Sequence, residues 1–162
     1  MIPVSHALFL SLSRNDCHRI RTAVATAYPA EGCGLLAGVT EGTACWRVTR
    51  VVPTRNLLTQ RDRFEVDPAA RFALMRDVRG GSERLIGHYH SHPDGPACPS
   101  ATDRAMAFEP ELIWVIVAVA NGRAETIKAY RLGGPTIHPV TIITPPERSR
   151  RFQGSHDEGA TR

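Results

Sequence analysis

The stretch Gly87-His88-Tyr89-His90-Ser91-His92-Pro93, followed by Ser100-Ala101-Thr102-Asp103, is the most informative part of this chain. It places a His-x-His pair, then a serine and a carboxylate, at fixed offsets. Residues 85–90 have the apolar character of a buried strand that enters a loop. Because side chains alternate along a strand, His90 and His92 project to one face, about 6.6 Å apart along it. The spacing predicts two ligands of one metal ion.

A third ligand is available where the next helix should begin. Two imidazoles can converge on one ion at about 2.0–2.1 Å per Zn–N bond, whereas His88 lies about 13 Å from His92 in a straight strand. Asp103 falls in the first turn of a predicted helix over residues 101–108, and Ser100 is a natural N-cap for that helix. Ser100 can cap the helix and also have a functional role, because the two are compatible. Three protein ligands with an open position are typical of a catalytic zinc.

A candidate general base lies upstream, at Glu31. It stands between a predicted amphipathic helix over residues 14–28 and an apolar strand. A glutamate between a helix end and a strand start is usually a solvated loop residue, so position alone leaves both interpretations open. The flanking glycines allow a close approach of the backbone.

Taken together, these residues resemble the JAMM motif of the MPN-plus metalloproteases. Residues 31–38, Glu-Gly-Cys-Gly-Leu-Leu-Ala-Gly, then Asn56 and residues 64–68, Phe-Glu-Val-Asp-Pro, are similar to landmarks of small stand-alone bacterial members, in the family's order. The resemblance implies that Zn²⁺ is held by His90, His92 and Asp103. It also implies that Glu31 is the general base for the zinc-bound water and that Ser100 stabilises the oxyanion.

The resemblance further implies a zinc metallopeptidase of the isopeptidase or deubiquitinase-like kind. Its substrate would be the C-terminal tail of a small ubiquitin-like or sulfur-carrier protein, bound by addition to an exposed strand. A catalytically silent MPN-type interaction module, a peptidase for cell-wall or phage-related peptides, and a non-haem iron oxygenase remain as alternatives. The complete motif favours the hydrolase, and metal content separates the zinc enzyme from the silent module and the iron enzyme.

One motif position departs from the family pattern. His88 stands where an aromatic such as Trp is expected. We expect a partly buried imidazole that is hydrogen-bonded to the backbone, with support of the ligands or contact with substrate as the alternative.

The four cysteines, Cys17, Cys33, Cys45 and Cys98, show no CxxC spacing and give no sign of a structural zinc knuckle. We expect free thiols. A pairing of Cys33 with Cys45 and an inhibitory thiolate at Cys98 stay open.

Length and composition predict one domain. The chain has 162 residues, 42% of them hydrophobic, and a net charge of +4. We expect a metalloprotease domain over residues 1–145 and a disordered tail over 146–162.

The basic run at 148–151 lacks interleaved aromatics, which argues against a nucleic-acid partner. No apolar stretch reaches the roughly 20 residues of a membrane span, so we expect a cytoplasmic protein.

The order of predicted elements is mixed α/β. Helices are expected at 14–28, 68–79 and 101–108, with a hairpin at Asn121-Gly122. Strands are expected at 7–12, 35–39, 45–53, 64–66, 85–90, 112–120 and 124–132, and an edge strand at 137–143. This order predicts a single-domain, JAMM-like α/β sandwich, in which helices flank a mixed, curved β-sheet.

Overall fold

A computed structural model describes residues 7–133 and 136–146 of the chain. The elements are, in chain order, β1 (Leu8–Ser11), α1 (Arg14–Ala27), β2 (Cys33–Glu41), β3 (Cys45–Thr54), α2 (Pro68–Asp77), β4 (Arg84–Pro93), α3 (Ala101–Ala105), β5 (Ile113–Ala120), β6 (Arg123–Gly133) and β7 (Thr136–Ile143). The strand predicted at 64–66 is absent from this order. Val66 there makes only an isolated bridge to Asn56.

The seven strands form a closed barrel in the order β1-β3-β2-β4-β5-β6-β7. This corrects the predicted sheet flanked by helices. Strand β7, predicted as an edge, pairs antiparallel with β6 and parallel with β1, so it closes the sheet. Periodicity identifies strands but carries no information on which distant strands pair, and closure depends on that pairing. The predicted strand addition stays a prediction: each described strand has two neighbours, but β1 pairs with only residues 45–47 of β3, so residues 48–54 keep one edge without a described strand partner.

The largest apolar cluster joins the barrel to α1. The helix begins at the N-cap Ser13, whose hydroxyl accepts a hydrogen bond from the Asp16 amide. Ile20 and Val24 of this helix are fully buried and belong to the same cluster as Leu36 of β2. The 3.6-residue period of α1 thus places one apolar face on the sheet.

Strand β4, which carries the two motif histidines, lies at the centre of the sheet. It pairs antiparallel with β2, where Cys33 opposes His90, and parallel with β5. The close contact with β2 requires a glycine, because a Cβ on Gly34 would lie 2.4 Å from the Tyr89 ring. The residues that precede β2 are therefore held directly beside the metal-binding end of β4.

The helix that carries Asp103 is shorter than predicted. Helix α3 ends at Ala105 rather than near residue 108, and the Met106 amide caps it on the Thr102 and Asp103 carbonyls. Pro110 disfavours helix at the residue before it, and β5 begins three residues after Pro110.

The predicted tail falls mostly on residues 147–162, which lie outside the described residues, so the domain boundary stays a prediction. Within residues 7–133 and 136–146, no helix is long and apolar enough to cross a membrane.

Candidate metal centre

The three predicted ligands meet at one point. The Nε2 atoms of His90 and His92 lie 3.0 Å apart. The two carboxylate oxygens of Asp103 divide between them, with Oδ1 3.1 Å from His90 Nε2 and Oδ2 3.1 Å from His92 Nε2. All candidate ligand atoms of these residues lie within 4.8 Å of one another. His90 and Asp103 are buried, and His92 is partly exposed. The cluster is positioned to bind one metal ion.

The surroundings of the cluster prepare its atoms for a cation. His92 Nδ1 lies 2.8 Å from the Pro96 carbonyl oxygen, which can only accept, so Nδ1 carries a proton and Nε2 is the nitrogen that could bind a cation. Burial lowers the pKa of His90, which keeps that ring neutral although Asp103 opposes the shift. The two Nε2 atoms face each other beside a carboxylate, and a divalent ion would replace the protons through which they bond to Asp103. The residues present therefore match a zinc site with one open position.

Asp103 remains ionised within the cluster. Burial by itself raises its pKa, but hydrogen bonds with His90 and His92 and the Ser100 amide outweigh burial and leave the pKa below the ordinary range. Its Oδ2 accepts from the Ser100 amide at 2.7 Å, while the Ser100 hydroxyl accepts from the Asp103 amide at 3.0 Å. This reciprocal pair is a capping box, which fixes the carboxylate at the start of α3.

Glu31 is buried and lines the same cavity as Asp103. Burial raises the pKa of Glu31 to about 8, with the charge of Asp103 acting in the same direction and His92 opposing it. A glutamate in a solvated loop would not show this shift. The structure thus excludes the solvated-loop interpretation that position alone left open.

Two residues outside the predicted site hold the backbone at Glu31 and Gly32 in place. Ser91 lies between the two histidine ligands; its hydroxyl accepts from the Gly32 amide and its amide donates to the Gly32 carbonyl, both at 2.9 Å. Asn56 donates from Nδ2 to the Glu31 carbonyl at 3.1 Å. The sequence marks Asn56 only as a family landmark and Ser91 only as the residue between the histidines, because the residues that they contact lie 25 and 59 positions away.

Ser100 is not among the residues that line the cavity, but it is hydrogen-bonded to Asp103, which is. Its hydroxyl oxygen accepts from the Asp103 amide, which leaves the hydroxyl proton free to donate. The predicted N-cap is confirmed by this geometry, while the oxyanion role stays a prediction.

A cavity of about 410 Å³ opens beside the metal cluster. It is lined by His88 and Trp114, by Leu58 and residues 62–66, and by residues 102, 103, 106, 108 and 109. Phe64 stacks on His90, with ring centroids 4.2 Å apart and an angle of 14°. Phe72 and Phe108 stand at its edge and are 71% and 77% exposed. The cavity therefore joins the candidate site to an apolar surface.

His88 differs from the expected backbone-bonded histidine. It is not among the clustered ligands, as predicted, but its Nδ1 is buried and has no hydrogen-bond partner within the described residues. The ring packs against Trp114 with centroids 4.3 Å apart. Burial lowers the pKa of His88 to about 3, so the ring is neutral. Apolar packing, rather than a hydrogen bond, holds this side chain.

All four cysteines are free, as expected. Cys33 is buried with its Sγ 3.5 Å from the Thr54 hydroxyl, so the pairing with Cys45 is wrong. Cys98 is exposed and does not belong to the metal cluster.

A mixed α/β barrel that carries a His-His-Asp cluster beside a buried glutamate defines a metal-binding protein. A family model described as prokaryotic homologs of the JAB domain matches residues 14–133. The chain therefore belongs to the prokaryotic JAB-domain family, and the resemblance inferred from the motif is confirmed.

Individual relatives agree with this family. The CysO-cysteine peptidase of Mycobacterium tuberculosis is 30% identical over 118 residues, which are 72% of this chain and 79% of that protein. The Desampylase of Haloferax volcanii is 35% identical over 89 residues, which are 54% of this chain and only 62% of that protein. A solution structure of a protein from Desulfitobacterium hafniense matches with a TM-score of 0.77 at 29% identity, covering 86% of this chain and 94% of that one.

Proposed function

We propose that this protein is a zinc-dependent hydrolase of amide or isopeptide bonds. Its substrate is the C-terminal tail of a small ubiquitin-like or sulfur-carrier protein, joined to an amine. The observation that carries the proposal is the convergence of His90, His92 and Asp103 on one point, with the buried carboxyl of Glu31 in the same cavity. A mononuclear site with three protein ligands and a neighbouring acid is the arrangement of zinc peptidases.

In this proposal each side chain has one task. His90, His92 and Asp103 hold the zinc, which when bound polarises the scissile carbonyl and acidifies water. Glu31 takes a proton from the attacking water and delivers it to the leaving amine. The raised pKa of Glu31 suits a group that must hold the proton between the two steps. The charge of a nearby cation would favour the ionised carboxylate and so lower this pKa again, which lets Glu31 give the proton up. Ser100 donates its free hydroxyl proton to the oxyanion.

The cavity supplies a path for the tail of the substrate. The tail enters the cavity that is lined by Leu58, by residues 62–66 and by residues 102, 103, 106, 108 and 109, and that reaches Glu31 and Asp103. The exposed Phe72 and Phe108 at the mouth offer an apolar contact to the body of the carrier. The names of the two relatives, a desampylase and a CysO-cysteine peptidase, support this substrate class.

The deciding experiment combines zinc content with turnover on a panel of carrier-protein conjugates. Wild type and Glu31→Gln should both bind one zinc per chain, and Glu31→Gln should lose about 10²–10⁴-fold in turnover, since it keeps the shape but cannot accept a proton. His92→Ala should lose the zinc, and removal of zinc from the wild type with a chelator should abolish turnover. Glu111→Gln, the same change at an exposed residue, is the matched control and should leave both unchanged.

The other outcomes separate the alternatives. Zinc in both proteins without turnover of any conjugate would contradict the carrier-protein substrate, and cleavage of cell-wall peptides by the same preparation would then identify the peptidase alternative. Absence of zinc from the wild type would favour the silent interaction module.

A further inference from the structure

One loop forms the wall of the cavity that faces the metal cluster. The loop, residues 57–65, is closed at its base by the bridge between Asn56 and Val66 and by a 3.0 Å hydrogen bond from the Leu57 amide to the Glu65 carbonyl. Its inner face carries Phe64, which stacks on the ligand His90. The loop therefore touches the site at a ligand as well as at the cavity.

The side chain of Asn56 is fully used. Its Oδ1 accepts from the amides of Leu58 and Glu65, both at 3.0 Å, so the oxygen organises the two ends of the loop. Its Nδ2 donates to the Arg63 carbonyl at 3.0 Å and to the Glu31 carbonyl at 3.1 Å. A primary amide has two N–H donors and two acceptor lone pairs, and all four are engaged here. No other side chain type offers this set in so small a volume.

The Nδ2 contact connects the loop to the general base. This contact is made to the backbone carbonyl of Glu31. The amide and the carbonyl of the next residue, Gly32, are both hydrogen-bonded to Ser91 of the metal-binding strand. Arg61 adds a second tie, from its Nε to the Pro29 carbonyl at 3.2 Å. The backbone on both sides of Glu31 is therefore fixed, on one side to the strand of the ligands and on the other to the cavity wall.

We propose that Asn56 is a positioning residue for the general base, whose side-chain amide fixes Glu31 relative to the loop 57–65 so that the cavity wall and the carboxyl keep one geometry. This inference rests on the proposed function, and it extends it to a residue outside the motif. The two halves of the amide have separable tasks. Nδ2 places Glu31, and Oδ1 shapes the loop that contacts the substrate.

The substitution Asn56→Asp separates these tasks. It keeps an oxygen at the position of Oδ1 and replaces the donating nitrogen by an oxygen that faces the carbonyls of Glu31 and Arg63. We expect kcat to fall about 10–100-fold, because a displacement of about 1 Å in a catalytic group can cost about 10²-fold, while KM changes less than about threefold. Gln60→Glu is the matched control: it makes the same amide-to-carboxylate change in the same loop, at an exposed position outside the residues that line the cavity. Its kcat and KM should equal those of the wild type.

A double-mutant cycle with Glu31→Gln identifies the route of the effect. If Asn56 acts through Glu31, Asn56→Asp lowers the rate of the wild type but not the residual rate of Glu31→Gln. Asn56→Ala, which removes Nδ2 without adding charge, must show the same non-additivity in kcat, while its loss of the loop contacts of Oδ1 appears in KM. A full additional loss in the Glu31→Gln background would overturn the proposal. A second result would also overturn it. If the double variant Glu31→Gln/Asn56→Asp bound intact conjugate at least about tenfold more weakly than Glu31→Gln does, the amide would serve substrate binding instead.

Amide hydrogen exchange tests the same tie without turnover. Asn56→Asp should speed exchange in residues 29–34 relative to wild type and to Gln60→Glu, with a cooperative thermal unfolding transition showing that the fold is kept. Unchanged exchange in that segment would contradict the proposal. A wild-type enzyme that cleaves no conjugate would contradict the proposed function, and the exchange comparison would still decide whether Asn56 holds the Glu31 segment.

Discussion

Asp103 shows how one side chain can serve the fold and the chemistry together. Its carboxylate closes the capping box of α3 through the Ser100 amide and at the same time faces both imidazoles. The cap restricts the rotamer of Asp103, so the ligand oxygen is already in place before a cation arrives. The capping interpretation of the Ser-x-x-Asp spacing is therefore correct, and the same hydrogen bonds hold Asp103 in the cluster with His90 and His92.

His88 gives a prediction for a single residue. Its buried Nδ1 has no partner in the described part of the chain, and an unsatisfied buried polar atom costs about 1–3 kcal/mol. His88→Phe keeps an aromatic ring against Trp114 and removes that atom. We expect the free energy of unfolding to rise by about 1 kcal/mol in urea titrations, with zinc stoichiometry unchanged.

The comparison for this variant is His90→Phe, which should lose the zinc because it removes a ligand. A loss of zinc in His88→Phe or in His88→Trp would instead show that the ligands are wrongly assigned.

The elements around the cavity are tied together by an ion pair as well as by apolar packing. Arg71 of α2 donates two hydrogen bonds to the carboxylate of Glu109, at 2.9 and 2.5 Å. Glu109 lies between α3 and β5, so this bidentate pair connects α2 to the wall of the cavity that follows Asp103. Both side chains are partly exposed, and solvent therefore limits what the pair contributes to stability.

This pair predicts a pH dependence of stability. The hydrogen bonds from Arg71 lower the pKa of Glu109 below its ordinary value, because they favour the charged form, and partial burial opposes the shift only weakly. A carboxyl with a lowered pKa in the folded state stabilises the fold above its unfolded pKa of about 4.3, and this contribution is lost as the pH falls through the folded value. Glu109→Gln should therefore cost about 0.5 kcal/mol at pH 7, and nothing once the pH lies well below 4.

Urea titrations of both proteins between pH 3 and pH 7, at about 0.1 M salt, measure this difference. Glu111→Gln is the control, because Glu111 forms no salt bridge among the described residues. A cost of Glu109→Gln that stayed constant over this range would mean that the side chain acts through packing and not through its charge.

The barrel as a whole depends on two strands at the ends of the described chain. Strand β1 pairs parallel with both β3 and β7, and the Leu12 amide donates to the Ile143 carbonyl at 2.9 Å. Both β1 and β7 lie outside the 14–133 span that the family model matches. The metal cluster and Glu31 lie inside it. Closure of the barrel is thus separate, along the chain, from the segments that form the site.

Two truncations test this division. A chain that ends after Pro146 keeps every described strand pair, so we expect turnover, zinc content and melting temperature equal to those of the full chain. A chain that ends after Gly133 loses β7, leaves β1 and β6 with one neighbour each, and uncovers the part of the main apolar cluster that Val140 fills. It should melt at least about 10 °C lower or fail to fold. Loss of activity in the first truncation would show that the predicted boundary near residue 145 is wrong.

Most of the site could be predicted from the sequence because its parts are local. The pair His90 and His92 follows from the period of a strand, and the Ser100-x-x-Asp103 spacing follows from the first turn of a helix. The role of Glu31 came from the family resemblance, because a glutamate after a helix has no periodicity that reveals its burial. The hairpin at Asn121-Gly122 was also predictable, since both residues adopt positive φ there, at 51° and 73°.

The sequence by itself determined most of the element types, the family and the three residues that cluster as candidate metal ligands, because each depends on neighbours within about a dozen residues. Only the tertiary structure decided the closure of the barrel, the burial of Glu31 and the contacts of Asn56 and Ser91 with the Glu31 segment. These depend on which strands pair and on contacts between residues 25 and 59 positions apart. Such contacts are fixed by the packing of the whole core, and no local pattern carries them.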